Sequence, residues 1–424
     1  MIHPSPTGLT PVEDALIFLH TQIQPLTCVE TVPLSEALQR ILAVPVVADF
    51  DSPPWDNSAM DGYALHDSDI PDSGGTLPIG GRITAGCSAV PTCRQHTTVR
   101  IFTGAQIPPR ANTVVPQEHC RVEGDRVHFQ PVKAGQNIRF RGEEYRKDTP
   151  LLAAGHYLRP QDIGLLASQG QQAIPVWRRL RIGVFSSGNE LATPADLRTD
   201  GQIFDSNGPM LHACLQKSGF VTVNLGRIPD QLDATVSLLD QAASSCDLLL
   251  SSGGVSVGEE DYLRQAVAQL GTVELWRLAI QPGKPLAFGQ IRQTPWFGVP
   301  GNPVAAMVTF LTVVLPCLWQ RQGRKNYQLH PSFQPAGFDW PQAPTRRMYL
   351  RCQLRQCTDT SPKKHQKNTI QNNVNKQMLY PLEQQNSAML TSLTHSDGFA
   401  VIDIGQTVSN GDTLPFIHYS AFWD

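Results

Sequence analysis

Ser251, Ser252 and Ser256 alternate with Gly253, Gly254 and Gly258 in the string SSGGVSVG (251–258), directly after the apolar run Leu248, Leu249 and Leu250. Serine and glycine at a strand-to-helix turn let several backbone N–H groups approach one anion, and a helix N-terminus adds partial positive charge. The chemistry this suggests is phosphate binding, with Ser252, Gly253, Gly254, Ser256 and Gly258 as contacts; a turn that merely joins two elements is the plainer alternative. Glu259, Glu260 and Asp261 follow at once, and Glu190 and Asp205 sit in neighbouring loops. Acids beside a phosphate make electrostatic sense when a cation lies between them, and Mg²⁺ takes one or two carboxylates plus phosphate oxygens. Glu190 and Asp261 are the expected ligands, although an acid at a helix N-terminus also favours the helix dipole by itself.

Two stiff turns, QPGKP (281–285) and VPGNP (299–303), each follow an apolar run. Proline fixes φ and glycine permits close backbone approach, so Lys284, Pro300, Asn302 and Pro303 suit a rigid frame for an oxyanion, with ordinary connecting turns as the plainer alternative. Residues 54–64, PWDNSAMDGYA, pack two acids, an amide, a hydroxyl and two aromatics into one loop. An Asx-turn network at a domain entry explains that loop as well as a binding role does.

From residue 181 onward, apolar runs alternate with helical periods: RIGVF, a helix over 208–218, VTVNLG, a helix over 232–243, DLLLSS and a helix over 261–270. Such alternation predicts parallel βα units, whose ligands sit beyond the carboxyl ends of the strands. The loops there read SSGNE, PD and SSGGVSVGEED, which places Glu190, Asp230 and Asp261 at one end of the sheet. Upstream, Thr10, Pro11 and Glu13 have the spacing of a helix start running to about residue 23, and a short helix is expected over 35–41. Short runs at 98–103, 112–117 and 126–130, separated by Gly and Pro, suggest a small β-rich unit. The apolar stretch 304–319 is shorter than a membrane span and carries Thr309, Thr312 and Pro316, so a buried helix is expected. Residues 357–376 are almost devoid of apolar side chains and predict a mobile loop or insertion.

A chain of 424 residues exceeds one core, so several compact units are expected. With 41% hydrophobic and 17% charged residues, charge-driven disorder is excluded for most of it. A net charge of -3 argues against a dedicated nucleic-acid binder. Residues 1–80 hold eleven acids and one base, Arg40, which implies an acidic lobe and a basic remainder. Nine cysteines without zinc-type spacing fit a reducing, cytoplasmic setting, and neither a signal peptide nor a membrane span is expected.

The strings DNSAMDGYA, TGA (103–105), NIRFRGEE, SSGNEL, SSGGVSVGEEDY, QPGKP and GVPGNP, in this order, resemble the molybdopterin molybdenumtransferase family, the bacterial molybdenum insertases related to the C-terminal domain of gephyrin. The resemblance implies an α/β multidomain fold: an elongated four-domain subunit with a linking helical or mixed domain (1–47 plus 147–178), a β-rich domain (48–146), a parallel α/β molybdopterin-binding domain (179–326) and a C-terminal β domain (327–424). It implies a transferase of molybdenum cofactor biosynthesis, which takes adenylylated molybdopterin and molybdate as substrates and releases AMP with Mg²⁺. A homodimer is implied, with the site shared between the α/β domain of one chain and the β-rich domain of the other. Molybdopterin adenylyltransferase and apo-molybdoenzymes are the implied transient partners.

Carried onto this chain, the resemblance makes Asp61 the catalytic aspartate and Thr103 the threonine of the TGA turn. It sets Glu190 and Asp261 near Mg²⁺, Asp205 and Asp230 along the nucleotide-pterin site, and Lys284 in the PGKP turn. Arg277, Arg346 and Ser387 align with residues associated with molybdate, with Arg347 as the alternative to Arg346. The chain departs from the family pattern at Asn189, where an aspartate is usual, and at Arg277 and Gln281, where lysines are usual; the family's GED reads Gly142-Glu143-Glu144. Loss of a charge at Asn189 and Gln281 keeps a second reading open, a non-catalytic molybdopterin-binding or cofactor-carrier paralogue. A gephyrin-like scaffold is a third.

Overall fold

The computed structural model describes residues 8–192, 198–228, 231–254, 262–356 and 377–423. The chain forms two compact units, one of Met1–Ala43, Gly155–Arg159 and Ile174–Asp424, the other of Val44–Ala154 and Pro160–Ala173.

In the first unit, α1 (Val12–Gln22) buries Val12, Ala15 and Leu19 at helical spacing. The expected capping box is absent. Pro11 occupies the cap without a side-chain hydrogen bond, Thr10 instead bridges Leu278 through its backbone, and the Glu13 carboxylate pairs with Arg347. Tertiary pairing has taken the groups that a solitary helix would have used for its own start. The helix expected over 35–41 is also missing: only Leu34–Glu36 makes a 3₁₀ turn, because Gln39 adopts φ 61° and the next residues bridge Tyr157 and Val176.

The βα alternation appears as read. The strands β1 (Arg181–Ser186), β2 (Val221–Arg227) and β3 (Leu248–Ser252) alternate with α2 (Asn207–Lys217), α3 (Leu232–Ser245) and α4 (Tyr262–Leu270). Then come β4 (Gly271–Arg277), β5 (Pro285–Ile291) and β6 (Thr294–Val299), and the sheet order is β2-β1-β3-β6-β5-β4. Pairings β2/β1, β1/β3 and β3/β6 are parallel, whereas β5 pairs antiparallel with both β6 and β4. The sheet is thus mixed rather than wholly parallel, since a short turn joins β5 to β6. The chain runs outward from β1 to β2 and then returns to β3, which makes the β1/β3 crevice a topological switch point.

Behind the sheet, the apolar stretch forms one continuous helix in three pieces: α5 (Pro303–Thr309), a π turn over Phe310–Val314, and α6 (Leu315–Arg321). The wider turn stands just before Pro316, which lacks an N–H for the helical ladder, and the Thr312 hydroxyl donates to the Val308 carbonyl at 2.7 Å. This helix is long and apolar enough to cross a membrane, but 83% of its most apolar window is buried in the protein.

The C-terminal sheet of this unit contains β7 (Ser332–Pro335), β8 (Arg347–Gln356), β9 (Gln377–Pro381), β10 (Gly398–Ile402) and β11 (Thr413–His418). Its edge is completed by Ile280–Gln281, paired in parallel with Arg347 and Met348. Residues 357–376, expected as a mobile insertion, lie outside the described residues.

The second unit is built on a six-stranded sheet in the order Thr113–Pro116, Gly62–Leu65, Thr98–Ile101, Gly75–Ile83, Arg126–Phe129, Arg121–Glu123. Its two faces bury separate apolar groups, one around Leu65, Val127 and Phe129, the other around Ala64, Val99 and Val114.

Candidate active site

The carboxyl ends of β1, β3 and β6 open into a cavity of about 1560 Å³. Glu190, Asp205, Ser252, Gly253, Gly254, Arg277, Lys284, Pro300, Asn302, Pro303, Arg346 and Ser387, expected from scattered strings, all line it. Asp230, Ser256, Gly258 and Asp261 lie outside the described residues. The lining belongs to the first unit throughout, whereas Asp61 and Thr103 belong to the second.

The strand ends are stitched together by backbone bonds. The Ser187 N–H donates to the Ser252 carbonyl at 2.9 Å, and the Gly253 N–H donates to the Val299 carbonyl at 3.1 Å. Gly253 has φ +81°, and a Cβ there would stand 2.4 Å from the Ser187 carbonyl oxygen, so no other residue fits without displacing the β1 loop. In the PGKP turn Gly283 has φ +101° and packs against Thr309 of α5. Gly301 differs: nothing stands within 4 Å of where its Cβ would be, and its bare face is part of the cavity wall. Ser251, one residue before the loop, accepts the indole N–H of Trp296 at 3.0 Å inside the core and takes no part in the lining.

Asp205 is engaged on both oxygens. Oδ2 accepts from the Ser186 hydroxyl at 2.6 Å, and Oδ1 accepts the N–H groups of Asn207 and Gly208 at 3.0 Å each. It therefore caps α2 and bolts that helix to the end of β1 while facing the cavity. Asn207 was not singled out in the sequence. Its amide donates to the Ser252 hydroxyl and to the Gly301 carbonyl, both at 2.7 Å, and its buried Oδ1 has no partner among the described residues. An asparagine two residues after an acid carries no sequence signal of that role.

Three cations, Arg277, Lys284 and Arg346, line the cavity with two carboxylates, Glu190 and Asp205. Arg346 and Arg347 differ in their partners. Arg346 lines the cavity and donates to the Ile280 carbonyl at 3.2 Å and to Gln281 Oε1 at 3.3 Å. Arg347 is committed to Glu13 and Asp403. Gln281 thus removes one cation from the family pattern but supplies an acceptor that orients another. Ser387 is fixed by the PGNP turn: its hydroxyl accepts from Asn302 Nδ2 at 3.1 Å, and its carbonyl accepts the Val304 N–H at 3.0 Å. Gln385 and Asn386 line the same wall. They lie 39 and 40 residues beyond Arg346 and about 80 beyond the PGNP turn, separations that single-sequence reading does not bridge.

In the second unit, Asp61 Oδ1 accepts the backbone N–H of Thr103 at 2.8 Å and its hydroxyl at 2.7 Å. These bonds hold the Asp61 carboxyl below the usual aspartate range, so it is ionised at neutral pH and is a weaker base than a free aspartate. Within the 54–64 loop the Ser58 hydroxyl donates to the Met60 carbonyl at 2.6 Å, whereas Asp56 reaches out of the loop to accept the Arg141 N–H at 2.8 Å.

Comparison with known proteins accounts for this arrangement. Residues 10–170 match the MoeA N-terminal region (domain I and II), 183–320 a probable molybdopterin binding domain, and 334–419 the MoeA C-terminal region (domain IV). Molybdopterin molybdenumtransferase of Haemophilus influenzae is 38% identical over 72% of this chain and 76% of its own length. The chain belongs to the MoeA family. The enzyme of that name from Nostoc sp. is 38% identical over 68% of both chains. The molybdopterin biosynthesis MoeA protein of Pyrococcus horikoshii OT3 has the same fold, with a TM-score of 0.79 and 27% identity over 97% of this chain and all of its own.

The cavity lining suits hard-cation chemistry. It contains oxygen donors and neither Cys nor His, and among the described residues no group of three Asp, Glu, His or Cys forms an all-protein metal cage. Such a set fits a cation held partly by substrate oxygens.

Proposed function

We propose that this protein inserts molybdenum into molybdopterin, taking adenylylated molybdopterin and molybdate and releasing AMP. Membership of the family and relatives named molybdopterin molybdenumtransferase support the transferase reading. The observation that carries it onto this chain is the convergence of a serine-glycine strand end, a carboxylate and three cations on one cavity.

In this reading the Ser252 hydroxyl and the turn at Gly254 receive phosphate, Gly253 ties that turn to the Val299 carbonyl, and Ser256 and Gly258 are further expected contacts. Glu190 and Asp261 would hold Mg²⁺, which when bound would neutralise charge on the phosphoanhydride. Arg277, Lys284 and Arg346 draw the molybdate dianion to the opposite wall, and Ser387 and Asn302 offer neutral donors there. Asp205 keeps α2 and the end of β1 in register, and Asp230 is a further proposed contact of the pterin. Asp61, held ionised by Thr103, orients the attacking oxygen; its low basicity favours positioning over proton abstraction. A homodimer that supplies Asp61 from the partner subunit, as the family resemblance implies, is part of the proposal. So are a cytoplasmic setting, in keeping with eight described cysteines that are all free thiols, and transient contact with an adenylyltransferase and apo-molybdoenzymes.

The test is AMP release from adenylylated molybdopterin by the purified protein, with and without molybdate and Mg²⁺, followed by activation of an apo-molybdoenzyme. Release that needs both ions, with activation, is expected. Tight substrate binding without AMP would overturn the insertase reading in favour of a carrier.

A further inference from the structure

Arg351 is among the largest fully buried side chains of the protein, with 1% of its surface exposed. Its sequence setting, MYLRCQL, gives no hint of a charged residue in a core. It sits on β8 opposite Phe399 of β10, four residues beyond the ion-paired Arg347. Its partners are all neutral. Nε donates to the Ser392 hydroxyl at 3.1 Å, and Nη2 reaches the Asn386 carbonyl at 3.2 Å and the Gln384 carbonyl at 3.4 Å. Among the described residues no carboxylate lies within ion-pair distance of it.

The segment grips Arg351 in return. The Gln385 side chain accepts the Arg351 N–H at 3.1 Å and donates to the Arg351 carbonyl at 3.0 Å and the Leu382 carbonyl at 2.9 Å. This clasp begins where the β8/β9 ladder ends, at the Cys352–Pro381 pair, and extends the pairing with an amide side chain. Residues 384–387 are thereby fixed from behind, while Gln385, Asn386 and Ser387 line the cavity in front.

We propose that Arg351 is the positioning residue of the oxyanion-binding wall, a buried guanidinium that turns the carbonyls of residues 384 and 386 inward so that the wall presents donors and positive potential to the substrate. A carbonyl oxygen facing the cavity would repel an oxyanion; those of Gln384 and Asn386 are spent on Arg351, and that of Ser387 on the Val304 N–H. An ordinary apolar residue would hold this core at less cost, because a buried charge without a counter-charge is expensive. The guanidinium stays charged despite burial, and at low local dielectric its field reaches the adjacent wall with little screening. The identity of the oxyanion as molybdate rests on the proposed function; the positioning role does not.

The experiment compares Arg351→Lys and Arg351→Met with the full-length parent and with Ser387→Ala. Lysine keeps the charge but has one donor atom, which cannot span Ser392 and both carbonyls. Hydrogen exchange of the peptide covering 382–392 is expected to accelerate at least tenfold in Arg351→Lys, with the β10 and β11 amides unchanged. Half-saturation by molybdate in AMP release is expected to rise at least fivefold, with less than a twofold change for adenylylated molybdopterin. Arg351→Met should raise it further where it folds; where it does not, the lysine variant decides. Unchanged exchange at 382–392, or an equal rise for both substrates, would overturn the proposal. If Ser387→Ala leaves the molybdate dependence unaltered, the molybdate reading of this wall fails, and the exchange data alone still decide what Arg351 does.

Discussion

Replacement of Asp205 separates its structural work from its part in the cavity. In Asp205→Ala, α2 loses a cap, which costs about 1 kcal/mol, and the hydroxyl of Ser186, a residue only 2% exposed, loses its acceptor, which costs about 1–3 kcal/mol. Asp205 is only partly buried, so water relieves some of this, and we expect a net loss of about 3 kcal/mol. Asp205→Asn behaves differently: the amide oxygen can still accept from the N–H groups of Asn207 and Gly208, and the Ser186 hydroxyl can rotate to accept from the new NH₂, leaving a loss of about 1 kcal/mol. Six of the seven tryptophans lie in the first unit, so tryptophan fluorescence in urea reports its unfolding. With a denaturant slope of about 3 kcal/mol per M, the midpoint should fall by about 1 M in the alanine variant and about 0.3 M in the asparagine variant. Equal midpoints for the two variants would refute the argument, because the acceptor geometry would then be irrelevant. A parent-like midpoint with lost pterin binding in Asp205→Ala would make Asp205 a ligand and no cap.

Four other outcomes follow from the geometry. Asp61→Asn should abolish turnover while leaving the unfolding midpoint and pterin affinity intact, and normal AMP release from that variant would defeat its assigned role. Thr103→Val removes one of the two bonds that depress the Asp61 carboxyl, so its titration in carbon NMR should move up toward the ordinary aspartate value. Gly253→Ala forces a Cβ onto the Ser187 carbonyl and should weaken pterin binding at least tenfold by equilibrium titration. In the second unit, Arg110 bonds both oxygens of the buried Asp69 and holds its carboxyl below the usual range. The stability from this pair is present above the unfolded aspartate value of about 3.9 and is lost as pH falls through the lower folded value. Protection of the 98–101 and 113–116 strand amides relative to their intrinsic exchange should therefore fall in acid, and Arg110→Met should flatten that fall.

The βα half of the fold was legible because each parallel strand is a short apolar run closed by polar turn residues, as in RIGVF and DLLLSS. The strand-end chemistry was legible for the same reason: a serine-glycine turn beyond such a strand has few purely structural uses. The misreadings share a cause. Thr10 and Glu13 had the spacing of a helix cap but were claimed by Leu278 and Arg347, and the 35–41 pattern was overridden by the left-handed turn at Gln39. In each case a partner remote in sequence outbid the local preference. Asn207, Gln385 and Arg351 were invisible because polar residues are read as solvated unless a fold surrounds them, and only the folded chain brings 351 and 385 to the segment that ends β6.

The parallel bridge between Ile280–Gln281 and Arg347–Met348 also sets an order of events. The wall bearing Arg346 and Ser387 cannot exist until the ribosome has released the chain past residue 390, by which time the βα half has long been free to fold. At a synthesis rate of about 5–20 residues per second, several seconds separate the two. During that interval the nascent protein holds the strand-end turns without the opposite wall. A reactive pterin meeting the unfinished chain would find a place to land but no enclosure, so commitment to the substrate is deferred until the last sheet closes on the edge offered by residues 280 and 281.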